Sequence, residues 1–325
     1  MLQKKLPLLQ KKFDPLGPTV KQLTLESGRV VHYIDDGKTD GLPVVFTGGL
    51  GTSVRVIRLL DFLRSMRESM NIRIITVERN GFGATEFDPS LGMADFSSDV
   101  EAVLTHLQID KFAVFGISGG GPYAAKIASR NAERLLSVHM AATSPSLGQP
   151  TRCADDSPAS IFRDMFRHPQ QYFGFNKESA VHHIVGFQDT AFDEAARAAN
   201  MRGQQSDPAA LDHEIALYCK EGAIDTSNVK APVFVYMGLA DPLITGIDAA
   251  TWQQAFPNAS VSVREYPGEG HDVQYRHLDQ ILLDIADYGD KILVCENSNS
   301  KLVAPDSVSE IVKQGGHLGI CAWSN

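Results

Sequence analysis

Gly116-Ile117-Ser118-Gly119-Gly120 is the stretch that most constrains what this chain can fold into. It matches G-x-S-x-G and stands between two segments of opposite character. Lys111 to Phe115 is a short apolar run of β-prone residues, and Gly121 to Ser129 is an alanine-rich helical pattern. A serine between a strand and a helix that turn this sharply must adopt strained backbone angles. The glycines around it let strand and helix approach where a Cβ would clash. The hydroxyl of Ser118 then stands above a sheet, and the next N–H can point at a developing negative charge. A glycine-rich turn with an incidental serine is the plainer reading. The flanking strand and helix favour a nucleophile elbow instead.

Periodicity along the chain supplies the surroundings. Val20 to Leu25 and Arg29 to Ile34, on either side of Ser27-Gly28, predict an antiparallel pair. Pro43 to Phe46, Ile72 to Val77, Leu135 to Met140, Val233 to Met237 and Val261 to Tyr266 read as strands. Helical patterns lie between them at Val54 to Met70, Ala94 to Leu107, Ala249 to Phe256 and Leu278 to Tyr288. This alternation predicts a mainly parallel sheet covered on both faces. It is interrupted between Ser144 and Val229, where amphipathic helical pieces carry Phe162, Met165, Phe166, Tyr172, Phe173, Phe175, Phe187 and Phe192. Those rings either line an apolar pocket over Ser118 or pack only among themselves.

Composition narrows the function classes. A net charge of −9 argues against nonspecific nucleic-acid binding, which needs a basic surface. No stretch approaches the roughly 18 apolar residues of a membrane span. The basic, proline-interrupted start, residues 1–19, reads as a frayed arm, with a membrane-touching or targeting arm as the other possibility. The four cysteines, Cys153, Cys219, Cys295 and Cys321, form no C-x-x-C pair and no zinc spacing, so reduced thiols in a cytoplasmic protein are the simplest expectation. No metal or cofactor is expected. Thr47 to Thr52 is not a G-x-x-x-x-G-K-[ST] loop, and Gly81-x-Gly83 lacks the third glycine of a dinucleotide fingerprint.

With these pieces in place the chain resembles the α/β-hydrolase family with a helical lid. The resemblance runs from about Leu23 to Tyr288. It rests on Gly116 to Tyr123, Thr47-Gly48-Gly49-Leu50-Gly51, Glu78-Arg79-Asn80-Gly81-Phe82-Gly83, Gly238-Leu239-Ala240-Asp241-Pro242 and Gly268-Glu269-Gly270-His271. It implies an eight-stranded, mainly parallel sheet with the reacting residues on loops at the strands' C-terminal ends. It divides the chain into a core of residues 20–143 and 230–289, a helical lid at 144–229 and an extension at 290–325. Many members carry His-Gly where this chain has Thr47-Gly48. That histidine is usually structural.

Serine needs a base within hydrogen-bond reach, and the base needs an orienting carboxylate. The order in this fold is Ser, then acid, then His. Asp241 follows a predicted strand at the loop where the acid belongs, although Asp-Pro can also simply open a turn. Ala141 to Pro145, the other common position for the acid, holds no carboxylate. Among ten histidines, His271 stands after a predicted strand and a glycine turn. His317 has a similar glycine context but lies in the extension. His168, His182, His183 and His213 belong to the lid region, and His32, His106, His139 and His277 have no catalytic context. The oxyanion hole would use the N–H groups of Gly119 and Gly49, with Leu50 as the alternate to Gly49 if the turn is shifted.

The expected activity is that of a serine hydrolase, cleaving an ester or related acyl bond of a small, largely apolar molecule. The competing expectation is a ligand-binding or signalling protein on the same scaffold with slow or no turnover. Serine at the nucleophile position argues against the dehalogenase and epoxide-hydrolase branches. The extension is expected to form strand, strand, helix, strand at Lys291 to Cys295, Lys301 to Val303, Pro305 to Lys313 and Ile320 to Trp323. It is too short to hold a core alone, so it should dock on the hydrolase body or on a second chain, which would give a homodimer.

Overall fold

The computed structural model describes residues 18–145 and 209–321. Strands β1 (Lys21–Thr24) and β2 (Val30–Asp36) form the antiparallel pair at one edge, with Leu23 opposite Val31. Then come β3 (Leu42–Thr47), a 3-10 helix (Val54–Leu63) that runs into α1 (Arg64–Ser69), and β4 (Ile72–Val77). Next are α2 (Met93–His106), β5 (Phe112–Ile117), α3 (Gly121–Arg130) and β6 (Leu135–Ala141). After residue 208 the chain continues through α4 (Ala209–Glu221), β7 (Val233–Gly238), α5 (Ala249–Ala255), β8 (Val261–Tyr266), α6 (Val273–Arg276) and α7 (Leu278–Ile285).

The eight strands form one sheet in the order β1-β2-β4-β3-β5-β6-β7-β8. Pairing is parallel from β4 to β8 and antiparallel at β1, β2 and β4. β5 lies inside the sheet with every residue buried, which is why Phe112 to Ile117 reads as an unbroken apolar run rather than an alternation. One core cluster joins Phe46, Phe115 and Ile117 to the 3-10 helix and α7. The other joins Val45, Val114 and Met140 to α2, α3, α4 and Trp252 of α5. A side chain such as Phe115, buried in this way, contributes about 2–3 kcal/mol.

The segment from Val54 to Met70, expected as one helix, instead begins as a 3-10 helix. Ser53 caps it, its Oγ accepting the Arg55 N–H. Nearly all of its residues are buried, so packing on the sheet sets its backbone, and β-branched Val54, Val56 and Ile57 resist little. The expected lid region falls largely outside the described residues, including the aromatic residues from Phe162 to Phe192 and His168, His182 and His183.

Beyond α7 a second, three-stranded sheet forms in the order β10-β9-β11, from β9 (Ile292–Glu296), β10 (Asn299–Val303) and β11 (His317–Leu318), with α8 (Pro305–Lys313) between the last two strands. It packs on α7 of its own chain. Gln280 Oε1 accepts the Leu293 N–H at 2.7 Å, its Nε2 donates to the Lys291 carbonyl, and Asp279 Oδ2 accepts the Ile320 N–H at 3.0 Å. Leu293 and Ile320 join the core beside them.

Two expectations are corrected here. The last described strand is His317–Leu318, whose residues meet Cys295 and Val294 across the ladder; Ile320 and Cys321 are not part of a strand, and the rest of the expected Ile320 to Trp323 strand lies outside the described residues. Among the described residues the cysteines are not reduced thiols. Cys295 and Cys321 form a disulfide with Cα atoms 4.8 Å apart, and Cys219 is also disulfide-bonded. Spacing along the chain carries no sign of the first pairing, since the small sheet brings together residues 26 positions apart.

Candidate active site

Four strand ends meet at one edge of the large sheet: Gly49 after β3, Ser118 after β5, Asp241 after β7 and His271 after β8. This C-terminal edge is where open α/β sheets bind ligands. Ser118 has φ of 48°, the left-handed conformation that the elbow requires. The close approach is equally plain in the glycines beside it. A Cβ on Gly116 would lie 2.8 Å from Ala124 Cβ, and one on Gly120 would lie 2.2 Å from the Thr47 carbonyl oxygen. Thr47 Oγ1 donates to the Gly120 carbonyl at 2.9 Å, so the residue at the common histidine position ties β3 to the elbow.

Ser118, His271 and Asp241 form one hydrogen-bonded chain. His271 Nε2 is 2.9 Å from Ser118 Oγ, and His271 Nδ1 is 2.8 Å from Asp241 Oδ2. Asp241 Oδ1 also accepts the N–H groups of Leu243 and Ile244 at 2.8 and 3.1 Å. Burial would raise the pKa of this carboxyl. The hydrogen bonds from the His271 ring and the two backbone N–H groups outweigh that effect and hold it below its ordinary value.

The loop that carries His271 is fastened to the loop that carries Asp241. The Ala240 N–H donates to the Glu269 carbonyl at 2.8 Å, and a Cβ on Gly238 would lie 2.4 Å from the Gly270 carbonyl oxygen. The Glu269 carboxylate in turn meets His277 Nε2 at 2.8 Å, and the His277 ring stacks on Tyr266. The glycine turn is thereby clamped at both ends, and the imidazole it presents is almost wholly buried.

Gly49 lies beside Ser118, since a Cβ there would sit 3.4 Å from Ser118 Cβ. Gly119 packs on the same loop, where a Cβ would sit 2.6 Å from Leu50 N. Gly119 opens a helical turn, so its N–H has no partner within the helix. Gly49 and Gly119, the two glycines named from the sequence, therefore both lie beside Ser118.

The other described histidines are engaged elsewhere. His139 stacks on Phe234 and meets Ser137 Oγ and Tyr236 Oη. Burial first, then the charge of Arg264, pushes its pKa down to about 3. His32 meets Thr85 Oγ1, His213 the Leu91 carbonyl, and His317 the Leu318 carbonyl within β11. His106 packs edge-on to Tyr33. Among the described residues no group of three or more His, Cys, Asp or Glu is arranged to hold a metal ion, and no helix is long and apolar enough to cross a membrane.

Sequence reasoning missed the buried side chains around the loop after β3. Arg79 donates from Nη1 to the Gly48 carbonyl at 3.2 Å and from Nη2 to the carbonyls of Gly49 and Thr52. Glu214, on α4, meets Arg79 Nη1 at 2.9 Å and accepts the Gly51 N–H at 2.7 Å. Burial alone would lower the pKa of Arg79, but Glu214 beside it more than offsets this and holds it above its ordinary value. Tyr218, one turn further along α4, donates to the Gly119 carbonyl. Thr143, just after β6, donates to the Ser118 carbonyl. The only advance signal was the position of Arg79 in the Glu78 to Gly83 turn. The rest arise from packing between distant segments.

Comparison with known proteins agrees with this architecture. A family model for the alpha/beta hydrolase fold matches residues 43–278. A non-heme chloroperoxidase of Streptomyces lividans is 27% identical over 284 residues, covering 81% of this chain and 97% of its own. A carboxylesterase structure from Nitrososphaera gargenis superposes with a TM-score of 0.60 at 19% identity, over 82% of this chain and 99% of that one. The enol-lactonase of Burkholderia xenovorans LB400 does so with a TM-score of 0.60 at 18% identity, over 82% and 98%. With the family model spanning most of the chain, the protein belongs to the alpha/beta hydrolase fold family and is a hydrolase.

Proposed function

We propose that the protein is a serine hydrolase that cleaves an ester or related acyl bond of a small, largely apolar substrate through an acyl-enzyme. The observation that carries this reading is the unbroken chain from Ser118 Oγ through His271 to Asp241. An ionised Asp241 fixes the tautomer with the proton on His271 Nδ1, which leaves Nε2 to accept from the serine hydroxyl.

As Ser118 Oγ bonds to the substrate carbonyl carbon, its proton passes to His271 Nε2. Asp241 stabilises the imidazolium. The carbonyl oxygen becomes an oxyanion, held by the N–H groups of Gly49 and Gly119. When the tetrahedral centre collapses, the bond to the leaving oxygen breaks and that oxygen takes the proton from Nε2. Water then attacks the acyl carbon, gives a proton to Nε2, and the proton returns to Ser118 Oγ as the acid leaves. A disulfide in the extension supports an oxidising compartment over the reducing cytosol that scattered cysteines suggest.

The test is turnover of p-nitrophenyl esters of graded acyl length by the wild type and by Ser118→Ala. Turnover that falls by several orders of magnitude in the variant is expected. A folded wild type that hydrolyses none of the esters, and that reacts with no fluorophosphonate, would instead mark a ligand-binding scaffold.

A further inference from the structure

The two peptide groups assigned above to the oxyanion hole are each held on their carbonyl side by a buried side chain. The Gly119 N–H belongs to the peptide whose carbonyl is that of Ser118, and Thr143 Oγ1 donates to that oxygen. The Gly49 N–H belongs to the peptide whose carbonyl is that of Gly48, and Arg79 Nη1 donates to that oxygen at 3.2 Å. In a trans peptide the C=O and N–H point in opposite directions within one plane. A donor seated on the carbonyl therefore fixes the direction of the N–H. It also draws electron density toward the oxygen, which makes the N–H a stronger donor.

Neither contact is incidental. Thr143 and Arg79 are both buried. Ala142, with φ of 46°, turns the chain out of β6 so that Thr143 meets the elbow, and its N–H is held by the Tyr236 carbonyl at 3.0 Å. The Thr143 side chain packs where a Cβ on Gly121 would have to go, 2.0 Å from its Oγ1. Arg79 is flanked by the rings of Phe82 and Tyr123 and anchored by Glu214, which also holds the Gly51 N–H of the same loop.

Resting on the acyl-transfer reading above, we propose that Thr143 and Arg79 are positioning residues for the oxyanion hole. Each acts through the carbonyl of the peptide whose N–H receives the negative charge. Such residues contribute when charge develops on the substrate oxygen and little when the neutral substrate binds. Their loss should lower kcat and leave KM nearly unchanged. A purely structural role would show as lost thermal stability without that split.

The experiment compares Thr143→Val, which keeps the shape and removes the donor, with Thr143→Ser, which keeps the hydroxyl. The probes are p-nitrophenyl butyrate and a trifluoromethyl ketone, whose adduct with serine places an oxyanion in the hole. Removing a direct oxyanion donor costs about 100- to 1000-fold in kcat, so removing its support should cost about tenfold in Thr143→Val. KM should stay within about twofold, ketone inhibition should weaken by about the same factor as kcat, and Thr143→Ser should restore most of both. If Thr143→Val does not fold, Arg79→Lys, which keeps the charge but not the fork, is read in the same way. Full kcat and ketone affinity in Thr143→Val, or no rescue by serine, overturns the proposal while leaving Ser118 as nucleophile. A wild type inert to the ester and to the ketone overturns the hydrolase reading, and this proposal with it.

Discussion

Asp241, at the reactive edge of the large sheet, and Asp279, under the small C-terminal sheet, are both buried, and each accepts two backbone N–H groups. Their carboxyls are nevertheless driven in opposite directions. Burial pushes Asp279 up to about 6, against the charge of His277 and the N–H groups of Gln280 and Ile320. Asp241 is held low because the His271 ring is hydrogen-bonded to it at 2.8 Å. Two backbone donors and the charge of His277 do not offset burial at Asp279, whereas a directly hydrogen-bonded imidazole does so at Asp241. The edge with Ser118 thus aligns its buried carboxylate with an imidazole, and the extension uses its own to fasten one piece of chain to another.

The largest effects should separate these two regions by activity. Ser118→Ala and His271→Ala should each lower kcat by about six orders of magnitude while the fold persists, and the double variant should lose little more, since the two groups act as a unit. Additive losses would break the assignment. Asp241→Asn should cost about four orders of magnitude, because the neutral amide no longer selects the reactive tautomer of His271. Activity should fall on the acid side, because the base must be unprotonated to accept from Ser118. A profile that stays flat down to about pH 5 would contradict a histidine base.

The extension should answer in stability. Replacing Cys295 and Cys321 by serine opens a loop spanning 26 residues. By chain entropy that should cost about 3.5 kcal/mol of stability, read from denaturant unfolding, with kcat of the folded enzyme unchanged. A matching loss of activity would show that the two regions are coupled. Asp279→Asn tests the other fastening. Because the folded pKa of Asp279, about 6, is above its ordinary value of 3.8, the wild type should lose stability as pH rises through that window. The amide should flatten that slope, which amounts to roughly 3 kcal/mol across the window. An unchanged slope would place the titration elsewhere.

How far the sequence reveals each region follows from the same contrast. Ser118, Asp241 and His271 were legible because each follows a strand in a motif whose order the fold dictates. The sheet was legible because its central strands are unbroken apolar runs. Thr143, Arg79 and Glu214 were not legible as parts of the site. Glu214 meets Gly51 across 163 positions and Thr143 meets Ser118 across 25, contacts that only packing creates. The Cys295–Cys321 pairing was hidden for the same reason, since four cysteines allow three pairings and spacing does not choose among them. The short 3-10 helix after Ser53 shows propensity yielding to burial.

The smallest effect should come from His317, which shares a glycine-rich context with His271 but lies in β11. His317→Ala should leave kcat unchanged and alter stability by no more than about 0.5 kcal/mol. A large loss of turnover would mean that the extension reaches the reaction.

The most direct test of the central claim is peptide mapping after reaction with a fluorophosphonate, run alongside ester turnover. A single adduct on the peptide that carries Ser118, forming in step with loss of turnover and absent in His271→Ala over the same interval, is the predicted result. Loss of turnover with the adduct on another residue, or full turnover by enzyme labelled at Ser118, would contradict it.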